Sequence, residues 1–332
     1  MIIQAFRNSQ AINLVFLFFA TFILRLPLYF LSTIPVIPIP EEPLSGFLFG
    51  LISPILIIPL FNIIFSSLLI YLQAVMINVM CRQYNILYKS TYLPGLMYVV
   101  FSSLFNIFLY TNTVLFANFF VILLIGQLFS LYKSNFSYQS VFLSGLIVAT
   151  GTLFYFPLLL VFPIIWVSLF ILRPFNWREY TIALLGFISP VFIIECISYL
   201  FNSNQWYLFE SVQELITSFK IPAVNIDYLP FLGICALLFI LSIVRFLVEG
   251  FGNTVKKQKS KNCFFWYMLL ILPVFFISGT SYEKTMVFYS IPIAFLVGDF
   301  FGSIKRIKIA NILLVIFVLA AGFYMLKKTT LI

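Results

Sequence analysis

The chain has 332 residues, of which 63% are hydrophobic and 9% charged, and it carries a formal net charge of +9 with no histidine. Soluble domains hold about a quarter charged residues, so this composition cannot build a water-facing surface; 43 phenylalanines and 18 tyrosines suit lipid and its interfaces instead. Without imidazole, Ser-His-Asp chemistry, histidine-ligated haem or iron and any histidine acid or base are excluded, and basic residues scattered at the ends of apolar segments speak against nucleic acid as a partner.

Apolar runs such as Ile309 to Leu326 continue at helix length and do not alternate as barrel strands do. The expectation is therefore all-α: one integral membrane domain over 1–332, a polytopic transmembrane helix bundle with about eleven crossings. The first crossing covers 11–31 and is too long for a cleaved signal peptide. Prolines at 35, 38, 40 and 43 then impose an extended loop. Pro54 and Pro59 break the next apolar stretch, which predicts a re-entrant or interfacial piece at 44–58 before a crossing at 59–80. Further crossings are predicted at 92–110, 114–132, 140–156, 158–172, 180–200, 229–247, 264–280, 286–303 and 309–326. Between 201 and 228, Trp206, Phe209, Val212, Ile216 and Phe219 recur at helical spacing, predicting an amphipathic interfacial helix near 205–219.

Charge orients this division. Loops on one side hold Arg7, Arg82, Lys89, Lys133, Arg173, Arg178, Arg245, Lys256, Lys257, Lys259, Lys261, Lys305, Arg306 and Lys308, whereas the other side holds Lys220, Lys284, Lys327 and Lys328 with Glu41, Glu42, Glu210, Glu214, Asp227 and Glu283. The positive-inside rule then puts the N-terminus inside and the C-terminus outside. A multipass membrane protein is therefore expected, and the resemblance given below implies the bacterial cytoplasmic (inner) membrane as its location. Lys256 to Lys261 form a positive inner loop that could meet anionic headgroups.

Chemistry has few places to sit. Glu41 and Glu42, on the first outer loop, form a carboxylate pair able to act as a base or hold a divalent cation, or else a solvated acidic loop. Arg25, near the outer end of the first helix, suits a lipid phosphate or a structural pairing. Glu195, inside a predicted crossing, is an intramembrane charge with either a functional or a structural role. Lys284 lies in the outer turn Ser281-Tyr-Glu-Lys-Thr285 as a phosphate contact or a solvated residue. Arg173-Pro-Phe-Asn-Trp-Arg-Glu-Tyr180 joins two helices on the inner side, with Arg173, Trp177 and Arg178 as anchors and Asn176 as a helix cap. Asp299 is expected to meet Lys305 or solvent. Gly46 with Gly50, and Gly145 with Ala149, are small-residue spacings that permit close helix contact. Cys81, Cys196, Cys235 and Cys263 have no paired spacing, so no metal site is expected from them.

Two resemblances rest on longer strings. Gln73-Ala-Val-Met-Ile-Asn78, Tyr84-Asn-Ile-Leu87, Tyr92-Leu-Pro-Gly-Leu-Met-Tyr98, Arg173 to Tyr180 and Leu185-Gly-Phe-Ile-Ser-Pro190 resemble a family of multispanning inner-membrane proteins of Bacteroidetes whose activity is uncharacterised. More loosely, Pro40-Glu-Glu-Pro43, Gly145 to Pro157 and Lys284 to Pro292 resemble the polytopic (GT-C type) glycosyltransferases that take sugars from polyprenyl-phosphate carriers. That likeness implies Glu41 or Glu42 as the group that activates an acceptor or binds a metal, and Arg25 or Lys284 as the holder of the departing lipid phosphate. The alternatives are a non-enzymatic membrane subunit or scaffold that holds other envelope proteins and, third, a transporter.

Overall fold

A computed structural model describes residues 2–7, 10, 12–26, 43–56, 58–84, 86–87, 91–103, 105–132, 137–200, 207–217, 243, 255–277, 282–304, 308 and 310–315. The described regular structure is entirely helical: α1 (Ile2–Arg7), α2 (Ile12–Ile23), α3 (Pro43–Leu56), α4 (Pro59–Gln83), α5 (Leu93–Ser102), α6 (Thr113–Ser130), α7 (Ser137–Thr152), α8 (Pro163–Leu172), α9 (Trp177–Leu200), α10 (Tyr207–Thr217), α11 (Val255–Ile277) and α12 (Tyr282–Ser303), with 3-10 turns at Asn106–Phe108 (η1) and Phe156–Val161 (η2). Among the described residues, four helices are long and apolar enough to cross a membrane: Pro59–Gln83, Thr113–Ser130, Trp177–Leu200 and Lys284–Ser303. All of the predicted crossing at 229–247 except residue 243, and most of that at 309–326, lie outside the described residues, as does most of the proline-rich loop.

Proline and asparagine mark the helix starts. Pro59, Pro94 and Pro163 occupy the first turns of α4, α5 and α8, where a missing N–H breaks no helical bond. Asn112 Oδ1 accepts from Leu115 N (2.9 Å) at the head of α6. Prolines 190, 273 and 292 sit inside α9, α11 and α12, as neighbouring helices allow in membrane segments.

Three boundaries differ from expectation. Instead of one helix over 92–110, α5 stops at Ser102 and η1 follows, and backbone groups of this irregular stretch bind distant side chains: the Phe108 and Leu109 carbonyls accept from Arg25 and Ser66, and the Thr111 amide donates to Asn62. The segment 158–172 is η2 followed by α8, since Pro163 cannot donate and splits the run. Lysines 256 to 261 are not loop residues: α11 begins at Val255 and takes them into its first two turns.

Cross-helix contacts give the bundle two distinct ends. Tyr92 N donates to Phe6 C=O (2.9 Å), Arg7 Nη2 donates to Phe301 and Ile304 C=O (2.7 and 2.5 Å), and the Arg82 guanidinium lies over Tyr92. Tyr84 touches Phe129 near the end of α6, Arg173 Nη1 donates to Leu131 C=O (3.1 Å), and Lys259 lies over Tyr132. The starts of α5 and α11 therefore share this basic end with the finishes of α4, α6, α8 and α12. At the opposite end, Arg25 Nη1 donates to Ser67 Oγ (3.0 Å) and Asn62 Nδ2 to Leu56 C=O (3.2 Å), so α2 ends, α3 ends and α4 begins together. At 14 residues, α3 is about 21 Å long, short of a bilayer core.

Glycines set the closest approaches. A Cβ on Gly145 would lie 2.2 Å from the Ala183 carbonyl oxygen, and one on Gly186 would lie 2.3 Å from that of Phe142, so α7 and α9 meet backbone to backbone. The Gly145 spacing is thus used within the chain. Aromatic stacks such as Phe264 on Phe295 (4.4 Å) fill the space between α11 and α12.

Candidate functional site

The chemically richest part of the described structure is a buried polar band along α4. Asn62, Ser66, Ser67, Gln73 and Asn78 are all fully buried, together with Arg25, Tyr98, Thr111 and Asn118. Polar groups inside a membrane bundle need partners there, because lipid provides none.

Most of these partners are backbone groups at helix ends and breaks. Asn62 Oδ1 accepts from Thr111 N (2.7 Å), Ser66 Oγ donates to Leu109 C=O (2.8 Å), and Arg25 Nη2 donates to Phe108 C=O (3.1 Å). All three satisfy the irregular stretch around η1, which lies beside the first turns of α4. Deeper in the bundle, Gln73 Nε2 donates to Leu115 C=O (2.8 Å), Tyr98 OH donates to Gln73 Oε1, and Asn118 Nδ2 donates to the Tyr98 hydroxyl (2.9 Å). Nearer the basic end, Asn78 Oδ1 accepts from Gly95 N (2.8 Å). That amide belongs to the first turn of α5, whose own N-cap residue supplies no side-chain bond, so α4 caps its neighbour. A Cβ on Gly95 would lie 2.1 Å from Asn78 Nδ2 and 2.8 Å from the Ala74 carbonyl oxygen; glycine alone fits there.

The sequence pointed to Arg25 but missed the band it belongs to. Asn62, Ser66 and Gln73, at i, i+4 and i+11, share one helix face, and that spacing could have revealed it. Arg25 is 1% exposed, with its guanidinium engaged by Ser67 and Phe108.

The other candidates fall into two groups. Lys284, half-buried, lies in the first turn of α12, a helix that packs on η1, the turn Arg25 binds; the two thus lie toward the same end of the bundle. Glu195 is half-buried near the end of α9. Glu41 and Glu42 lie outside the described residues.

Arg173, Trp177 and Arg178 gather at the basic end. Arg173 Nε pairs with Glu179 Oε2 at 3.3 Å, while Trp177 and Arg178 are exposed with the guanidinium over the indole ring. Asn176 Oδ1 accepts from Arg178 N (3.3 Å), the capping contact expected of it. Asp299 is 6% exposed, so it does not face solvent, and the Lys305 expected beside it lies outside the described residues; the register of α11 on α12 sets it level with buried Lys261, since the Tyr267 hydroxyl reaches Phe288 C=O and Phe264 stacks on Phe295.

A wholly helical described structure, with four crossing-length apolar helices and a buried polar band along one of them, defines a helical membrane protein. Residues 44–332 match the model of DUF6427, a family of unknown function, and the chain belongs to that family. No curated protein and no solved structure matches it.

Proposed function

We propose that the protein is a non-enzymatic, multispanning subunit of the inner membrane that holds other envelope proteins beside its helices. The observation that carries this is the contrast between a bundle whose buried polar side chains bond largely to one another and to its own backbone and a peripheral helix, α9, that packs along one face on α7 and leaves Leu184, Leu185, Ile188, Phe192, Ile193 and Ile197 exposed. Eleven crossings with the N-terminus inside belong to the same proposal. They are supported by the gathering of Arg7, Arg82, Arg173, Arg178, Lys257 and Lys259 at one end. A re-entrant α3 is supported by the junction of Arg25 with Ser67, which puts the end of α2 and the start of α4 together.

The test is photocrosslinking from Ile188 and Phe192 in native membranes. The proposal expects one discrete protein adduct from these sites and none from lipid-facing Leu72 of α4. Equal, diffuse labelling at all three positions rejects it.

Glycosyl transfer from a polyprenyl-phosphate sugar is a second proposal, favoured by the placement of Arg25 and Lys284 toward one end of the bundle. There, Glu41 and Glu42 serve as base or divalent-cation ligands, and Arg25 or Lys284 meets the phosphate. Mass spectrometry of gently purified protein for polyprenyl lipid, repeated on the Glu41→Gln/Glu42→Gln variant, separates the two. Copurified carrier lipid favours transfer; its absence alongside a stable protein partner favours the subunit.

A further inference from the structure

We infer that the turn from α8 into α9 is a docking surface on the inner side, where Phe175, Trp177 and Arg178 receive an acidic segment that the partner protein carries just inside the membrane. The inference rests on the subunit reading and on its inside N-terminus, and it adds the chemistry by which the partner is chosen.

The aromatic rings of this turn face outwards and form one surface. Phe175 is 72% exposed, and Trp177 and Tyr138, the latter at the head of α7, are exposed as well. Asn176 Nδ2 donates to the Tyr138 hydroxyl (3.4 Å), the Phe175 ring lies 5.2 Å from that of Tyr180, and the exposed Arg178 guanidinium stands 6.0 Å from the centre of the Trp177 ring. The backbone beneath is fixed. Asn176 Oδ1 accepts from Arg178 N, the Asn176 carbonyl accepts from Glu179 N (3.0 Å), and Trp166 Nε1 donates to the Tyr180 carbonyl (3.3 Å). A surface held in this way loses little freedom on binding, and tryptophan, tyrosine and arginine are the side chains that dominate binding energy at protein interfaces.

Charge decides what the surface takes. Glu179 is buried and pairs with Arg173 at 3.3 Å, while Arg173 also turns back to the Leu131 carbonyl, so Arg178 is the charge that the turn presents outwards. Asp299, the other acid described at this end, is buried too. An acidic segment complements the guanidinium. The basic segments that ordinarily follow a crossing on the inner side are repelled by it, which makes the choice selective.

A protein segment fits better than lipid headgroups because of the level of the turn. With 24 residues, α9 is about 36 Å long, against about 30 Å of hydrocarbon. Centred on that layer, it leaves Trp177 and Arg178 among the headgroups and sets the preceding turn on the aqueous side. Phe175 there is an apolar ring with no polar atom, and a protein segment removes it from water.

The experiment places a photoreactive benzophenone residue at Phe175 of the full chain in native membranes, beside the same probe at Ile188. One protein is expected to be joined from both sites, and the peptide of it joined at Phe175 is expected to carry Asp or Glu. Arg178→Glu should lower the Phe175 adduct about tenfold and leave that of Ile188 unchanged, and lysine in place of the acidic residue in the joined peptide should restore it. A Phe175 probe that labels only lipid or a different protein, a joined peptide without acidic residues, or an adduct indifferent to Arg178→Glu overturns the docking surface, while the Ile188 adduct keeps the subunit reading. Loss of protein adducts at both sites in the wild type removes that reading as well. If Arg178→Glu abolishes the Ile188 adduct too, insertion has been disturbed. Arg178→Gln must then lower the Phe175 adduct and Arg178→Lys keep it; any other pattern ends the proposal.

Discussion

Helices α4 and α9 have the same mean hydropathy, 2.0 over their most apolar stretch, yet 44% of that stretch is buried in α4 and 17% in α9. The difference lies in the placement of polar side chains. In α4, asparagine, serine and glutamine face the interior and bond to the backbone of its neighbours. In α9, the buried face has one polar residue, Glu179, paired with Arg173 at the basic end, and then runs through Ala183 and Gly186, where backbone meets backbone against α7, to Val191. Hydropathy tells that both helices suit a bilayer; the positions of amides and glycines tell which one is central and which one is applied to the outside.

The contrast can be broken at its tightest point first. Gly145→Leu or Gly186→Leu forces a side chain into the facing backbone and should destabilise the protein by about 3 kcal/mol, read as a loss of thermal stability in detergent. A neutral result would mean that α9 is not seated on α7. Arg25→Met leaves the Phe108 carbonyl without its guanidinium donor and removes the bond to Ser67 Oγ, which keeps its own bond to Ile63 C=O, and should cost about 2 kcal/mol; an unchanged melting temperature would detach Arg25 from the band.

Gln73→Leu leaves Tyr98 OH and the Leu115 carbonyl seeking other partners, and about 1 kcal/mol is expected because polar contacts in membranes contribute modestly. Should it instead stabilise the protein, the band's specificity role would be removed. Leu185→Ala, on the outer face of α9, should shift isolated-protein stability by less than about 0.5 kcal/mol. A larger shift in the purified chain would show that this face packs against the protein itself.

Much of the framework was legible in the sequence. Pro59 opens α4 and Asn176 caps α9 as read, because proline geometry and side-chain capping act within a turn. The break after Ser102 was not legible: its partners, Asn62, Ser66 and Arg25, lie about forty or more residues away in the chain. Lysines at the head of α11 read as loop because charge weighs against a crossing, although helix formation does not require the whole helix to be in lipid. Of the site candidates, Arg25 stood out by its charge, but its role depends on Ser67 and Phe108, which carry no signal singly. The Arg173 string was distinctive for a reason now visible: one arginine closes α6 and meets the first turn of α9 at once.

The amide of Gly95, held by Asn78, bears on how the chain enters its membrane. With ten residues, α5 is about 15 Å long, too short to be a stable passenger in lipid by itself. Its first turn also lacks a cap until α4 lies alongside. The two helices must leave the insertion machinery as a joined hairpin, with α4 first in the chain and waiting. Assembly is thus ordered by hydrogen bonding as much as by hydrophobicity, and Asn78→Leu should reveal it as retarded insertion of α5 in a pulse-chase assay.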